Sequence, residues 1–231
     1  MKKNILFVTT FALLATLFLN SCSDDETEGL SRVTYYALLE MNGSAYDAVQ
    51  VGTTYNDPGC VATMAGEDVS DKIAVTGNVN TDKLGFYSLN YVVVNDDGFP
   101  ASASRTVAVV DRNNFASVYY GESQYGPRHY YNAPISIEDN GDGTYTINDL
   151  AGGFYSYGRY PGYDAYGFDF FLETVLKLNA DNSIEIVDQN PDDWYWGDAI
   201  SITTGTYDAE SGTITLVMDF SGTPMYVTLT K

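Results

Sequence analysis

The chain has 231 residues and a formal net charge of −20, with 31 acidic residues against 11 basic ones. This excess of negative charge repels nucleic acid and anionic lipid headgroups, which argues against both as partners. The chain also contains a single histidine, which disfavours most metal sites and Ser–His catalytic arrangements.

Residues 1–21 have the features of an export signal. Lys2 and Lys3 give a positive start, and the apolar run of about fifteen residues that follows is short for a membrane span. The segment 19–22 (LNSC) resembles the lipobox of bacterial lipoproteins, in which cleavage before the cysteine is followed by acylation. The resemblance implies a lipidated Cys22, with an ordinary secretory signal and a chance cysteine as the alternative.

Residues 22–31 form a predicted acidic tether. Its run of acids just after Cys22 resembles the surface-export signal of lipoproteins from gut commensals that degrade polysaccharides. The resemblance implies a lipid-anchored protein of the outer membrane that faces the cell exterior and touches the membrane only through its lipid. Loss of residues 1–21 removes Lys2 and Lys3 and no acid, so the formal charge changes from −20 to −22.

Residues 32–111 show period-two alternation of apolar residues, which predicts β-strands. The alternation is seen in segments 33–39 and 87–93, and Val107 and Val109 fit a closing strand after the turn at 95–98. Short strands separated by turn signals over about 80 residues predict a β-sandwich.

Four segments of this region are similar to a bacterial immunoglobulin-like domain, of the type found in insecticidal crystal proteins. The segments are 52–59 (GTTYNDPG), 73–80 (IAVTGNVN), 85–91 (GFYSLNY) and 105–107 (RTV). The resemblance implies an immunoglobulin-like β-sandwich that acts as a spacer.

Residues 115–231 form a second predicted domain, which is all-β and rich in aromatic residues. Alternation in 135–137 and 145–147 predicts a hairpin, and further alternating runs extend to the C-terminal residue. Segment 168–178 fits either a strand or a helix, and we predict a strand because a turn follows at 179–182. Some eight antiparallel strands predict a meander that forms a lipocalin-like barrel or a sandwich. The segments 205–208 (GTYD) and 227–230 (VTLT) also look like those of uncharacterised C-terminal domains in the same commensal lipoproteins.

The spacing of a calcium loop occurs at the predicted hairpin. Its candidate ligands are Glu138, Asn140, Asp142 and Asp149. Glu replaces the usual Asp at the first position and Asp replaces Glu at the last, and the flanks read as strands. We therefore favour a tight hairpin turn over a metal site.

Two aromatic groups are the candidate binding residues. Exposed aromatic rings stack on the apolar faces of sugars. The glycan-binding candidates are Tyr155, Tyr157, Tyr160, Tyr163, Trp194 and Trp196. Neighbouring carboxylates such as Asp164 and Asp169 are suited to accept hydroxyl hydrogen bonds. A strand would place Trp194 and Trp196 on one face, and the alternative for every ring is a place in the core.

We predict a non-catalytic surface lipoprotein that binds a polysaccharide or oligosaccharide as an accessory to polysaccharide capture, with no catalytic residues and no cofactor. An adhesion or assembly module that meets another surface protein is the main alternative. A glycosidase, with two of the many acids as its pair, and a carrier of a small apolar ligand rank below it.

Overall fold

The computed structural model describes residues 33–189, 194–197, 199–220 and 222–231. The predicted signal peptide, Cys22 and the tether lie outside the described residues. Residues 33–36 carry no regular secondary structure, so the strand predicted from residue 33 begins at Ala37. Among these described segments, no helix is long and apolar enough to cross a membrane.

The first domain is a two-sheet sandwich. Its strands are β1 (Ala37–Met41), β2 (Tyr46–Gln50), β3 (Cys60–Met64), β4 (Glu67–Asp68), β5 (Ala74–Thr76), β6 (Gly85–Val94) and β7 (Pro100–Val110). One sheet has the order β1-β3-β4 and the other β2-β7-β6-β5. β2 runs parallel to β7, and the other pairs are antiparallel. The predicted hairpin at 95–98 is confirmed as the turn between β6 and β7.

A buried polar cluster lies inside this sandwich and unites three of the segments that carry the immunoglobulin-like resemblance. Arg105 is fully buried, and its Nε lies 3.3 Å from Asp57 Oδ1. The Tyr91 hydroxyl donates to both oxygens of Asp57, at 2.6 and 2.7 Å. The guanidinium also donates to the backbone carbonyl oxygens of Asn42, Ser44 and Gly59, at 2.7, 2.8 and 3.1 Å. The buried charge is therefore compensated by a carboxylate and by backbone acceptors, as a buried charge requires.

The second domain is an eight-stranded antiparallel sheet that is nearly closed. Its strands are β8 (Ser117–Tyr125), β9 (Arg128–Asp139), β10 (Tyr145–Ile147), β11 (Thr174–Leu178), β12 (Ile184–Gln189), β13 (Ser201–Asp208), β14 (Thr213–Phe220) and β15 (Thr223–Thr230). Strands that follow each other in sequence are paired, apart from β12 and β13, and β15 pairs with β8. A single bridge between Ser183 and Thr206 spans the β12–β13 seam. The predicted all-β meander is confirmed, in a form closer to the barrel than to the sandwich.

The interior of this sheet is filled by alternating apolar side chains. Ile135 and Ile137 on β9 and Leu216 on β14 are among the residues with almost no exposed surface. These side chains fill the interior of the sheet, where a carrier of a small apolar ligand would have its binding cavity. The predicted hairpin of β9 and β10 is confirmed. The strand predicted from residue 168 is wrong for 168–173, because these residues belong to a long loop and β11 starts only at Thr174.

The two domains meet around Tyr120, at the start of the second one. Its hydroxyl donates to the backbone oxygens of Asp47 and Thr106, at 3.0 and 2.8 Å. Its ring lies 5.7 Å from that of Tyr46 and 5.4 Å from that of Phe86. Residues of both domains therefore share one small apolar cluster at this contact.

Candidate functional site

The candidate site is built on the long loop that joins β10 to β11, residues 148–173. The loop contains a π-helical segment, Phe154–Arg159, and a 3₁₀ turn, Tyr163–Tyr166. The hydrogen bond from Leu150 N to Leu172 O, at 2.9 Å, ties the two ends of the loop together. The aromatic residues between them are thus carried on an irregular but anchored segment.

Asp149 anchors this loop from inside the domain. Its carboxylate is fully buried and accepts hydrogen bonds from both ends of the loop. The donors are Ala151 N (3.0 Å), Gly153 N (3.2 Å), Ser156 Oγ (2.6 Å) and Leu172 N (3.4 Å). Burial raises the pKa of Asp149 to about 6, and these hydrogen bonds act in the opposite direction.

Two glycines let the π-helical segment lie flush on the sheet. Gly153 has a φ of 80°, and a Cβ at this position would stand 2.1 Å from the Cβ of Ala133. A Cβ at Gly158 would stand 2.3 Å from the ring of Tyr130. Neither position has space for a side chain, so the loop is fixed by close backbone contact with β9.

The aromatic rings of the site form two layers, of which the inner one belongs to the core. Phe154, Tyr155, Phe170 and Trp194 are all buried. Tyr155 contacts Trp194 edge to face, with ring centroids 5.8 Å apart, and both rings lie 5.9 Å from Phe220 of β14. This layer supports the surface rings and closes the end of the domain core.

The outer layer, which we call the aromatic face, consists of partly or fully exposed rings. Its members are Tyr157, Tyr160, Tyr163, Tyr166, Phe168, Tyr195 and Trp196. Tyr160 joins the two layers, because it stacks on Phe170 at 4.8 Å and lies 6.5 Å from Trp196. Tyr195 lies 4.9 Å from Trp196 and 5.4 Å from Phe168. The hydrogen bond from Tyr195 N to Asp169 O, at 2.6 Å, holds the tryptophan turn against the loop.

The structure brings the six predicted glycan-binding candidates into one cluster but assigns them to different layers. Tyr157, Tyr163 and Trp196 are about 40% exposed, and Tyr160 is half-buried. Tyr155 and Trp194 are core residues. Trp194 and Trp196 lie in a turn and not in a strand, so they do not share one face: Trp194 is buried and Trp196 is exposed.

The aromatic face borders two hollows, and a third adjoins the second one through Phe171. The first, of about 220 Å³, lies between Tyr155, Tyr160 and Trp196, above Phe220. The second, of about 170 Å³, is bounded by Tyr157, Tyr160, Asp164 and Phe171. The third, of about 510 Å³, is bounded by Phe171, Asp169 and Glu173. Tyr160 lines both the first and the second hollow, and Phe171 lines both the second and the third, so neighbouring hollows share a wall. We call the three hollows together the aromatic groove.

Sequence reasoning missed several residues of this groove. Phe168, Phe170, Phe171 and Tyr195 are sequence neighbours of the predicted candidates, and the density of aromatic residues in 154–171 was the signal that could have found them. Phe220 comes from β14, far along the chain, and no local pattern connects it to the loop. Asp164 and Asp169, predicted as hydroxyl acceptors, border the second and third hollows.

The predicted calcium-loop residues are used for other contacts. Asn140 and Asp142 hydrogen-bond to Thr144 within the β9–β10 hairpin, while Asp149 is buried beneath the aromatic loop. Glu138 is exposed on β9. Within the described ranges, no group of three or more His, Cys, Asp or Glu residues is arranged to hold a metal ion.

His129 lies on the surface of β9, away from these rings. Its Nε2 lies 2.7 Å from Glu122 Oε1, and its Nδ1 lies 2.8 Å from the hydroxyl of Tyr131. The imidazole therefore makes two hydrogen-bonded contacts on the exposed outer side of the sheet, as expected for a surface histidine.

Comparisons with known proteins bear on both domains. The model of a bacterial surface protein Ig-like domain matches residues 39–109, which confirms the immunoglobulin-like resemblance. A family model described as a C-terminal domain matches residues 110–231, which is more than half of the chain. No curated protein matches the chain.

The chain is similar to several solved structures. The lipoprotein BT2262 from Bacteroides thetaiotaomicron is 25% identical, with a TM-score of 0.52 over 85% of this chain and 100% of that chain. The CBM51-2 and INT domains of Clostridium perfringens ZmpB, in a complex with GlcNAc, are 15% identical over 78% of this chain and 29% of that chain. Their TM-score of 0.29 carries no argument about fold or ligand. A bacterial surface Ig-like domain precedes the C-terminal domain in the sequence. Because the family model matches residues 110–231, the chain belongs to the family defined by this C-terminal domain.

Proposed function

We propose that this protein is a non-catalytic surface lipoprotein that binds a glycan in the aromatic groove of its second domain, as an accessory to polysaccharide capture. The observation that carries the proposal is the row of neighbouring hollows beside exposed aromatic rings. Three hollows that share Tyr160 and Phe171 as walls have the form needed by a chain of sugar rings.

The chemistry of the groove supports a sugar ligand. Exposed aromatic faces pack on the apolar faces of pyranose rings, and carboxylates accept hydrogen bonds from hydroxyl groups. Trp196 and Tyr160 supply aromatic faces in the first hollow. Asp164 supplies a carboxylate in the second hollow and Asp169 in the third. The buried inner layer supports these rings, so that little ordering is needed on binding.

The proposed location rests on the sequence and on the relatives. The predicted lipidation of Cys22, the match to a bacterial surface Ig-like domain and the similarity to a Bacteroides lipoprotein all favour the cell surface. We propose an outer-membrane anchor facing the exterior, with residues 22–31 as the tether. The first domain, proposed as residues 32–111, is the spacer that holds the glycan-binding domain, residues 115–231, away from the lipid.

The test is a binding screen of the chain without its predicted signal peptide. Native affinity gels containing plant polysaccharides or mucin glycans identify a ligand, and titration calorimetry then gives its affinity. We expect Trp196→Ala to weaken binding about tenfold, the loss of one stacked ring. Tyr226→Ala is the control, because Tyr226 is also an exposed aromatic residue but lies outside the aromatic face, on β15.

Other outcomes separate the alternatives. Retention of surface proteins by the wild type, with no retardation by any glycan, would favour an adhesion or assembly module. Release of reducing sugar from the same panel would favour a glycosidase. Equal binding by wild type and Trp196→Ala would contradict the proposed site.

A further inference from the structure

The first hollow of the aromatic groove contains an unusual concentration of positive charge. Its lining residues include Arg128, at the start of β9, and Arg159, at the end of the π-helical segment. After loss of residues 1–21 the chain has nine basic residues against 31 acidic ones. Two of those nine therefore line a hollow of about 220 Å³.

These two guanidinium groups are available to a ligand. Both arginines are exposed, and within the described ranges neither forms an ion pair with a carboxylate. No acidic side chain is found among the described residues that line this hollow. In a chain with so many acids, this arrangement leaves a local positive site in a negative surrounding field.

The arginines are also positioned beside the aromatic rings. The guanidinium carbon of Arg159 lies 5.2 Å from the centroid of the Tyr160 ring, a distance typical of a cation–π contact. Burial raises the pKa of the Tyr155 hydroxyl, and the positive charge of Arg128 acts in the opposite direction, which places Arg128 within electrostatic reach of that ring. The hollow thus combines an aromatic wall with a cationic rim.

From this geometry we infer that the first hollow binds an acidic sugar residue, whose carboxylate or sulfate pairs with Arg128 and Arg159 while its ring packs against the exposed face of Trp196. The volume is below the roughly 300 to 1,000 Å³ of a pocket for a drug-sized ligand, and it suits a single ring. Guanidinium groups make strong, geometrically specific hydrogen bonds to such anions. The inference rests on the proposed glycan-binding function and names the class of sugar.

The test compares chemically matched glycans that differ only in charge. One pair is oligogalacturonate and its methyl ester, and the other is a sulfated galactan oligosaccharide and its desulfated form. We expect the acidic member of at least one pair to bind about tenfold more tightly than its neutral form, with a preference that weakens as ionic strength rises. The two pairs distinguish a carboxylate from a sulfate.

A double variant assigns the preference to the two arginines. Arg128→Gln with Arg159→Gln should reduce the preference for the acidic form to about twofold or less. Lys72→Gln with Lys83→Gln is the control, because it removes the same charge from exposed positions of the first domain. Equal affinity for neutral and acidic forms, or a preference that survives the double arginine variant, overturns the inference but leaves the proposed function standing. Absence of binding to every glycan overturns both.

Discussion

At the scale of single residues, the carboxylate of Asp149 is the group on which the candidate site depends. It is buried under the aromatic loop and satisfies donors from both ends of that loop. Loss of this buried acceptor would leave several donors without partners, and each such donor lowers the free energy of unfolding by about 1 to 3 kcal/mol. The position of the exposed rings is thus set by a residue that no ligand touches.

The raised pKa of Asp149 gives a stability effect with a defined sign. Its folded-state pKa is about 6, above the value of 3.8 for a free carboxyl group. The stabilisation is therefore fully present below pH 3.8 and is lost as the pH rises through about 6, a total on the order of 3 kcal/mol. We expect the difference in free energy of unfolding between wild type and Asp149→Asn to fall by this amount between about pH 4 and pH 7, measured by urea titration.

Asp142→Asn is the control for this measurement. Asp142 is exposed in the β9–β10 hairpin, and its hydrogen bonds with the Thr144 side chain and backbone lower its pKa. Its contribution is therefore present above the unfolded pKa and lost as the pH falls, the opposite dependence. A difference for Asp149→Asn that is constant with pH would show that its carboxyl group is not linked to folding in this way.

At the scale of elements, the π-helical segment 154–159 is held by close contact with β9 in addition to its own backbone hydrogen bonds. Gly153 and Gly162 both have left-handed φ values, 80° and 79°. A Cβ at Gly153 would clash with Ala133, whereas a Cβ at Gly162 would have no neighbour within 4 Å. Alanine substitutions at the two positions therefore separate the free-energy cost of backbone strain from that of a steric clash.

We expect Gly162→Ala to cost about 1 to 2 kcal/mol, the strain of a left-handed alanine. Gly153→Ala should cost that strain and about 1 to 3 kcal/mol more, because the added methyl group meets Ala133. Chemical denaturation with tryptophan fluorescence measures both, since Trp194 and Trp196, the two tryptophans of the chain, lie at the site. Equal losses for the two variants would contradict the close packing of this segment on β9.

The elements differ in how far the sequence predicts them. Strands such as β6 and β14 alternate over most of their length and have one buried face, so local pattern is sufficient to find them. The layers of the aromatic cluster depend on contacts between distant segments, as between Tyr155 and Phe220. Composition therefore identified the candidate rings, but it had no means of telling buried Trp194 from exposed Trp196.

At the scale of the whole molecule, Tyr120 of the second domain forms the main described contact with the Ig-like domain. It combines two hydrogen bonds to backbone oxygens with ring contacts to Tyr46 and Phe86. Interfaces between domains of one chain are often mobile unless such contacts fix them. The contacts of Tyr120 therefore favour a fixed arrangement of these two domains.

We expect Tyr120→Ala to uncouple the domains, because it removes both hydrogen bonds and the shared ring contacts, about 2 to 4 kcal/mol in total. Scanning calorimetry should then show two separate unfolding transitions where the wild type shows one. Tyr120→Phe, which keeps the ring, should give an intermediate profile. An unchanged profile for Tyr120→Ala would mean that the domains are not coupled through this residue.

The central claim, that glycan binds at the aromatic face, is tested most directly by the indole N–H signals of the two tryptophans in a nitrogen–proton correlation spectrum. Trp196→Phe assigns the two signals. During titration with a glycan found in the affinity screen, we predict that the exposed Trp196 signal shifts progressively and saturates, with a smaller shift of buried Trp194. A glycan that binds while both indole signals stay unmoved would contradict the account.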